Sequence, residues 1–209
     1  MKPVQLPLSG MAFITGYNEN TNRCILNFSS WKQAFTMYHY DPVTGKTKDV
    51  FFTTNVKYPG TEDLVVEEVE AIGHDGVSIP LSLVYNKLIK RDGSNVVLMK
   101  GYGSYGNSST PWFNAYYLPL MNKGVIIAVT HPRGGGEKGE QWHNASKKIN
   151  KPNTWKDFTS CAEYLIKNGY TSPKHIVGEG ASAGGILIGR AITERPDLFA
   201  ASLHVVPIS

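Results

Sequence analysis

Gly180-Ala181-Ser182-Ala183-Gly184-Gly185 places a serine in a G-x-S-x-G pattern between a strand-like run and a helix-like run. The chemistry offered by such a junction is nucleophilic attack by a hydroxyl. To push its Oγ clear of the backbone, Ser182 must take a left-handed φ. The chain then folds back so tightly that bulky side chains do not fit at Gly180 and Gly184. A helix that starts directly behind the serine turns its N-terminal N–H groups toward a developing oxyanion, and the Ala183 N–H is one such donor. The plainer reading is a glycine-rich turn with an inert serine. The junction position, the small flanking alanines and the extra Gly185 favour the nucleophile.

A serine nucleophile needs a base, and in a strand–turn–helix site of this kind the acid and the histidine follow the serine. The one Asp and one His after Ser182 are Asp197 and His204. They stand in the right order but are poorly spaced, because each triad partner belongs at the end of its own later strand and a crossover takes roughly a dozen or more residues. Asp197 is expected in a helix-to-strand loop, and His204 inside an apolar strand as a core residue. His39, His74, His131, His143 and His175 precede the serine, so chain order argues against them. The expectation is that the triad Asp and His lie outside these 209 residues.

Two further glycine-rich segments follow strand-like runs: Lys100-Gly101-Tyr102-Gly103-Ser104-Tyr105-Gly106 and Pro132-Arg133-Gly134-Gly135-Gly136-Glu137-Lys138-Gly139. Both sit at the edge where α/β sheets bind ligands. Neither has the spacing of a phosphate-binding loop. Their plain reading is a pair of mobile surface turns. Tyr102 is the informative residue, since a phenol at that strand end could donate to an oxyanion.

The elements that must position these residues are of two kinds. Residues 1–62 read as all-β: Met11–Thr15, Cys24–Phe28, Phe35–Tyr40 and Lys48–Thr53 are short runs of aromatic and β-branched residues separated by turn clusters. Asp41-Pro42-Val43-Thr44-Gly45-Lys46 is the clearest turn. Strands at this spacing suggest a sandwich or a propeller blade. Over 63–209 the pattern is that of an α/β fold. Val65–Ile72 and Val77–Tyr85 form a hairpin about Asp75-Gly76. Strands at Val96–Met99, Val125–Thr130, His175–Val177 and Ala201–Val206 then alternate with helices at Phe113–Asn122, Trp155–Asn168 and Ala183–Glu194. Trp155, Phe158, Cys161 and Leu165 share a helix face, with Thr154 expected as cap, Asp157 as capping-box partner and Gly169 as stop.

Composition narrows the function class. Apolar residues make up 41% and charged residues 18%, which excludes a disordered or collagen-like chain. The net charge of +4 is spread along the sequence, so no nucleic-acid partner is expected. The longest apolar run, Val125–Val129, is far short of the ~20 residues of a membrane helix, and no membrane partner is expected. Met1–Gly10 has no apolar run of the signal-peptide kind. Cys24 and Cys161 have neither metal nor redox spacing and read as buried apolar residues, and no metal or cofactor is called for.

The motifs together resemble the prolyl oligopeptidase family of serine peptidases, including its oligopeptidase B branch. The resemblance rests on Gly101–Gly106, on Arg133–Glu137 with Gly139, Trp142 and His143, and on Asp157-Phe158. Cys161–Leu165, Gly169–Pro173, Gly180–Leu187 and Arg195–Phe199 complete it. It implies an α/β-hydrolase domain, here its N-terminal part over 63–209, preceded over 1–62 by the last strands of a β-propeller. It also implies hydrolysis of short peptides, with Ser182 as nucleophile, Tyr102 as side-chain oxyanion donor and Ala183 as backbone donor. The family's Asp and His would lie beyond Ser209, so the chain alone is expected to be inactive and to require the missing parts of its own two domains. Members that prefer basic residues tend to carry carboxylates a few positions after the Gly-Ser-Tyr-Gly segment. Here Thr110 and Trp112 stand at those positions and Asn107–Phe113 holds no acid, which argues against strict dibasic specificity. The competing readings are an esterase or aminopeptidase on the same fold, and a non-catalytic peptide-binding chain. A cytoplasmic place is expected, with a periplasmic or secreted one left open.

Overall fold

A computed structural model describes residues 10–49 and 58–208, so the expected strand at Lys48–Thr53 lies, from Val50 on, outside the described residues. The chain divides into two compact units, one drawn from residues up to Glu62 together with Thr110–Leu118, the other from Asp63–Ser109 together with Pro119 onward.

The first unit is an antiparallel meander of β1 (Met11–Asn18), β2 (Arg23–Ser29), β3 (Thr36–Asp41) and β4 (Lys46–Asp49), side by side in that order. The turn between β3 and β4 forms where Asp41 accepts the N–H groups of Val43 at 2.9 Å and Thr44 at 3.2 Å. The segment Thr110–Leu118 belongs to this unit through specific contacts. Ser29 Oγ donates to the Pro111 carbonyl at 2.8 Å, and the rings of Phe113 and Tyr58 lie 5.0 Å apart. Those contacts hold Phe113 out of any helix. The helix expected over Phe113–Asn122 is therefore reduced to a 3-10 turn, Ala115–Tyr117, and a single turn, α1 (Leu118–Met121).

The second unit is an α/β sheet. Its strands are β5 (Leu64–Ile72), β6 (Ser78–Asn86), β7 (Val97–Lys100), β8 (Ile126–Thr130), β9 (Ile176–Ala181) and β10 (Ala201–Val205), in the order β10-β9-β7-β8-β6-β5. Pairing is parallel from β10 to β8 and antiparallel from β8 to β5. The helices are the short α2 (Glu140–Asn144), α3 (Pro152–Lys167) and α4 (Gly184–Glu194). Register explains the core. Leu83, Ala128, Met99 and Gly178 lie opposite one another across four strands, and a strand's alternate residues share a face. Phe158, Cys161 and Leu165 of α3 and Leu187, Ile188 and Ala191 of α4 pack in the same core as that row. Cys161 is fully buried and free, and burial pushes its thiol up.

Two expectations from local pattern, the cap of α3 and the burial of His204, are not met, and a third, the place of Asp197, is. Helix α3 starts at Pro152, whose missing N–H costs nothing in a first turn, with Lys151 as N-cap. Thr154 and Asp157 are thus inside the helix and face buried partners, and neither caps it. Asp197 does lie in the 3-10 turn between α4 and β10, held by Arg195 at 2.9 and 2.8 Å. His204, expected in the core, is exposed, because β10 borders the described sheet.

Phe158 is the side chain on which this packing converges: it stacks on Phe199 with centroids 5.8 Å apart and abuts Gly101 and Gly178. Phe158→Ala should lower stability by about 3–5 kcal/mol, read as a drop in the urea midpoint.

Candidate active site

Strand β7 sends its chain to β8 on one side, and β8 sends its chain to β9 on the other. Strand ends at such a reversal leave a crevice, and the three loops that follow β7, β8 and β9 gather there.

Ser182 ends the β9 side of this crevice with φ +51°. A left-handed φ at a residue with a side chain costs roughly 1–3 kcal/mol and persists only where the surroundings over-determine it. They do so here. The Ser182 N–H donates to the Val205 carbonyl at 3.0 Å, and the Ser182 carbonyl accepts the N–H groups of Gly185 and Ile208, each at 2.9 Å. A side chain on Gly180 would run into the Gly184 carbonyl and Ile188, and one on Gly184 would begin 2.7 Å from the Gly101 carbonyl oxygen. The spacing of the glycines is thus a matter of close backbone approach. Ala183, buried, is the N-cap of α4.

Tyr102 follows β7. On one side the Gly101 N–H donates to the Glu179 carbonyl at 3.0 Å. On the other, Gly103 takes φ +60°. The Tyr102 ring edge stands 3.5 Å from where a Gly184 side chain would begin, so the ring lies against the first residue of α4, two positions past Ser182. The structure therefore brings Ser182, Ala183 and Tyr102 to one place.

The glycine-rich loops, expected as mobile surface turns, are packed. Gly103 and Ser104 are buried, as are residues 131–135. The Gly106 N–H donates to the Gly134 carbonyl at 3.0 Å, and Gly134 sits directly on the Gly103 carbonyl. Arg133 anchors the second loop. Its guanidinium meets Asp157 at 2.9 and 2.6 Å and Asp75 at 2.6 and 3.2 Å, and its backbone N–H also donates to Asp157, at 2.9 Å. These hydrogen bonds hold the guanidinium firmly charged although only 4% of the residue is exposed. Nothing local in the sequence marks this anchor, since its members are far apart in the chain.

His131, His143 and His175 have other partners, and His74 and His204 are exposed. His131 Nε2 lies 2.8 Å from Ser82 Oγ, which donates to Glu68 at 2.5 Å, so the imidazole is the donor to Ser82. Its Nδ1 lies 3.5 Å from Glu137. Burial pushes the Glu137 carboxyl up, but His131 and the Ser109 N–H outweigh it and leave the group below its ordinary value. His143 Nδ1 is 2.9 Å from the Gly134 carbonyl, and His175 Nδ1 is 3.0 Å from Ser172 Oγ. Among the described residues, no histidine hydrogen-bonds Ser182 Oγ, and no group of side chains could hold a metal ion.

Comparison with known proteins bears on this geometry. The sequence pattern of the prolyl oligopeptidase family matches residues 111–209. A prolyl endopeptidase from Elizabethkingia meningoseptica is 36% identical over 198 residues, covering 95% of this chain and 28% of its own length. The structure of oligopeptidase B from Trypanosoma brucei with covalently bound antipain superposes with a TM-score of 0.85 at 33% identity, covering 98% of this chain and 30% of that one. Prolyl oligopeptidase B from Galerina marginata, bound to a 25mer macrocyclization substrate, superposes with a TM-score of 0.85 at 33% identity, covering 92% and 27%. The chain therefore spans less than a third of the length of these relatives.

Asp75 gives the Arg133 anchor a pH signature. The Arg133 hydrogen bond holds its carboxyl below the ordinary 3.8. A depressed carboxylate contributes stability that is present above its ordinary pKa and is lost as pH falls through the folded value. Asp75→Asn should therefore be less stable than the parent at neutral pH, with a gap that closes as pH falls below 3.8. Urea midpoints of both proteins at neutral and acid pH check this.

Proposed function

The chain belongs to the prolyl oligopeptidase family, and on that premise we propose that it carries the nucleophile and oxyanion site of a serine peptidase that hydrolyses short peptides. The observation that carries the proposal is the strained Ser182, φ +51°, at the head of α4 with Tyr102 laid against Gly184.

In the proposed reaction Ser182 Oγ attacks the scissile carbonyl carbon. The proton leaves to a general-base histidine, and the carbonyl oxygen becomes an oxyanion. The Ala183 N–H and the Tyr102 hydroxyl receive that charge, one fixed by the helix backbone and the other by the β7 loop. Histidine returns the proton to the departing amine, leaving an acyl ester on Ser182. Water then repeats the attack and frees the serine. Donors already in place at the moment of charge development avoid the cost of reorganising solvent. Peptides as substrates are supported by the Galerina marginata enzyme, whose structure holds a 25mer substrate.

Two variants of the full-length protein test the roles. Ser182→Ala should lose all labelling by a fluorophosphonate probe, and persistent labelling at the parent rate would refute the nucleophile. Tyr102→Phe should lower kcat by about 10²–10³ with the fold intact, as loss of one oxyanion donor does elsewhere. A peptide and an ester substrate run side by side separate peptidase from esterase action.

A further inference from the structure

Lys151 is placed where electrostatics disfavours it. It is the N-cap of α3, the positive end of a helix, and a cation there is opposed by the helix dipole. It is half-buried, and burial pushes its ammonium pKa down. Among the described residues no carboxylate pairs with it. Its three N–H donors go instead to neutral oxygens: the Gly103 carbonyl at 2.7 Å, Ser104 Oγ at 3.1 Å and Thr154 Oγ1 at 3.1 Å. An ammonium has three donors, and here all three are used. Desolvating a cation without a counter-charge costs stability. The gain must therefore be sought in what the three bonds hold.

They hold the residue next to Tyr102. Gly103 takes φ +60°, and its carbonyl accepts Lys151 Nζ at 2.7 Å with the Gly134 backbone packed against it, while the Thr154 hydroxyl is directed to the Arg133 carbonyl at 2.9 Å. The next residue, Ser104, is buried and gripped through its hydroxyl. On the other side of Tyr102, Gly101 is bonded to Glu179, and a side chain there would begin 2.8 Å from the Phe158 ring. The strand side of the tyrosine is thus fixed by sheet pairing and core packing. The loop side, at a left-handed residue that neither sheet nor helix supports, is held by packing against the Gly134 backbone and by the one charged donor that reaches it, Lys151. The Gly103 carbonyl lies one residue past Tyr102, so its release frees Gly103 to rotate about its own φ and ψ and removes the support on the C-terminal side of Tyr102.

We propose that Lys151 is a positioning residue for the reaction, clamping the Gly103 carbonyl and Ser104 hydroxyl so that the Tyr102 phenol is aimed at the oxyanion. The proposal rests on the reading of Tyr102 as an oxyanion donor. Lys151 itself touches neither substrate nor the reacting atoms. Its effect is entirely through the tyrosine, and that makes it separable from a general role in the fold. A misplacement of about 1 Å at a catalytic group costs up to ~10²-fold in rate.

A double-mutant cycle in the full-length protein tests this, with kcat and KM measured on a fluorogenic peptide and normalised to sites titrated by a fluorophosphonate. Lys151→Met should lower kcat about ten- to a hundredfold and change KM by less than about twofold. In the Tyr102→Phe background the same Lys151→Met change should cost less than about twofold, since the phenol it aims is gone. Lys151→Cys followed by aminoethylation, which rebuilds an ammonium at nearly the same reach, should recover most of kcat relative to the parent given the same treatment. Equal losses in the two backgrounds, no loss in either, or failure of the rebuilt ammonium to recover activity would each overturn the clamp while leaving Tyr102 in its role. A Tyr102→Phe variant with unchanged kcat would instead overturn the oxyanion reading, and the clamp with it.

Discussion

Where β9 gives way to α4, nothing larger than hydrogen fits at Gly180 or Gly184, and the site depends on that close approach. Gly180 must let the Gly184 carbonyl and Ile188 come in, and Gly184 must lie on the Gly101 carbonyl. With these distances set, Ser182 is held in a left-handed conformation at φ +51°. Tyr102, next to Gly101, is brought onto the helix start by the same contact. The strain of one left-handed serine, roughly 1–3 kcal/mol, is a small fraction of what the buried row from Leu83 to Gly178 and the facing helices contribute.

The loops around this point are held in place for a different reason. Two cations are withdrawn from water there, and each is satisfied in its own way. Arg133 meets two carboxylates in bidentate geometry, which fixes direction as well as distance and ties the β5–β6 turn to α3. Lys151 meets only neutral oxygens, two of them on the loop that carries Tyr102. The guanidinium holds the β8 loop, that loop lies against the β7 loop, and the ammonium holds the β7 loop from the other side. Glycines at 103, 106 and 134 let the two loops nest with their backbones in contact.

What could be read in the sequence was whatever is encoded over a few neighbouring residues. The elbow at Gly180–Gly185 is a local steric pattern, and the strands and the apolar face of α3 are local periodicities. The misreadings share one cause. Thr154 and Asp157 look like a cap and its capping-box partner, but they are committed to Arg133, Gly103 and Lys151 across the fold, and the helix begins earlier at Pro152. Phe113 looks like the start of a helix until Tyr58 engages it. The glycine-rich loops look mobile because their partners are each other. His204 looks like a core residue because its strand is apolar, and it stands exposed on β10, which borders the described sheet. Lys151 gives no local signal at all.

The most direct test of the account is a crystal structure of the full-length protein with a peptide aldehyde bound. The account predicts a hemiacetal on Ser182 Oγ whose oxygen accepts hydrogen bonds from the Ala183 N–H and the Tyr102 hydroxyl, at the 2.7–3.1 Å typical of oxyanion donors. An adduct on another residue, or a hemiacetal oxygen turned away from both donors, would contradict it.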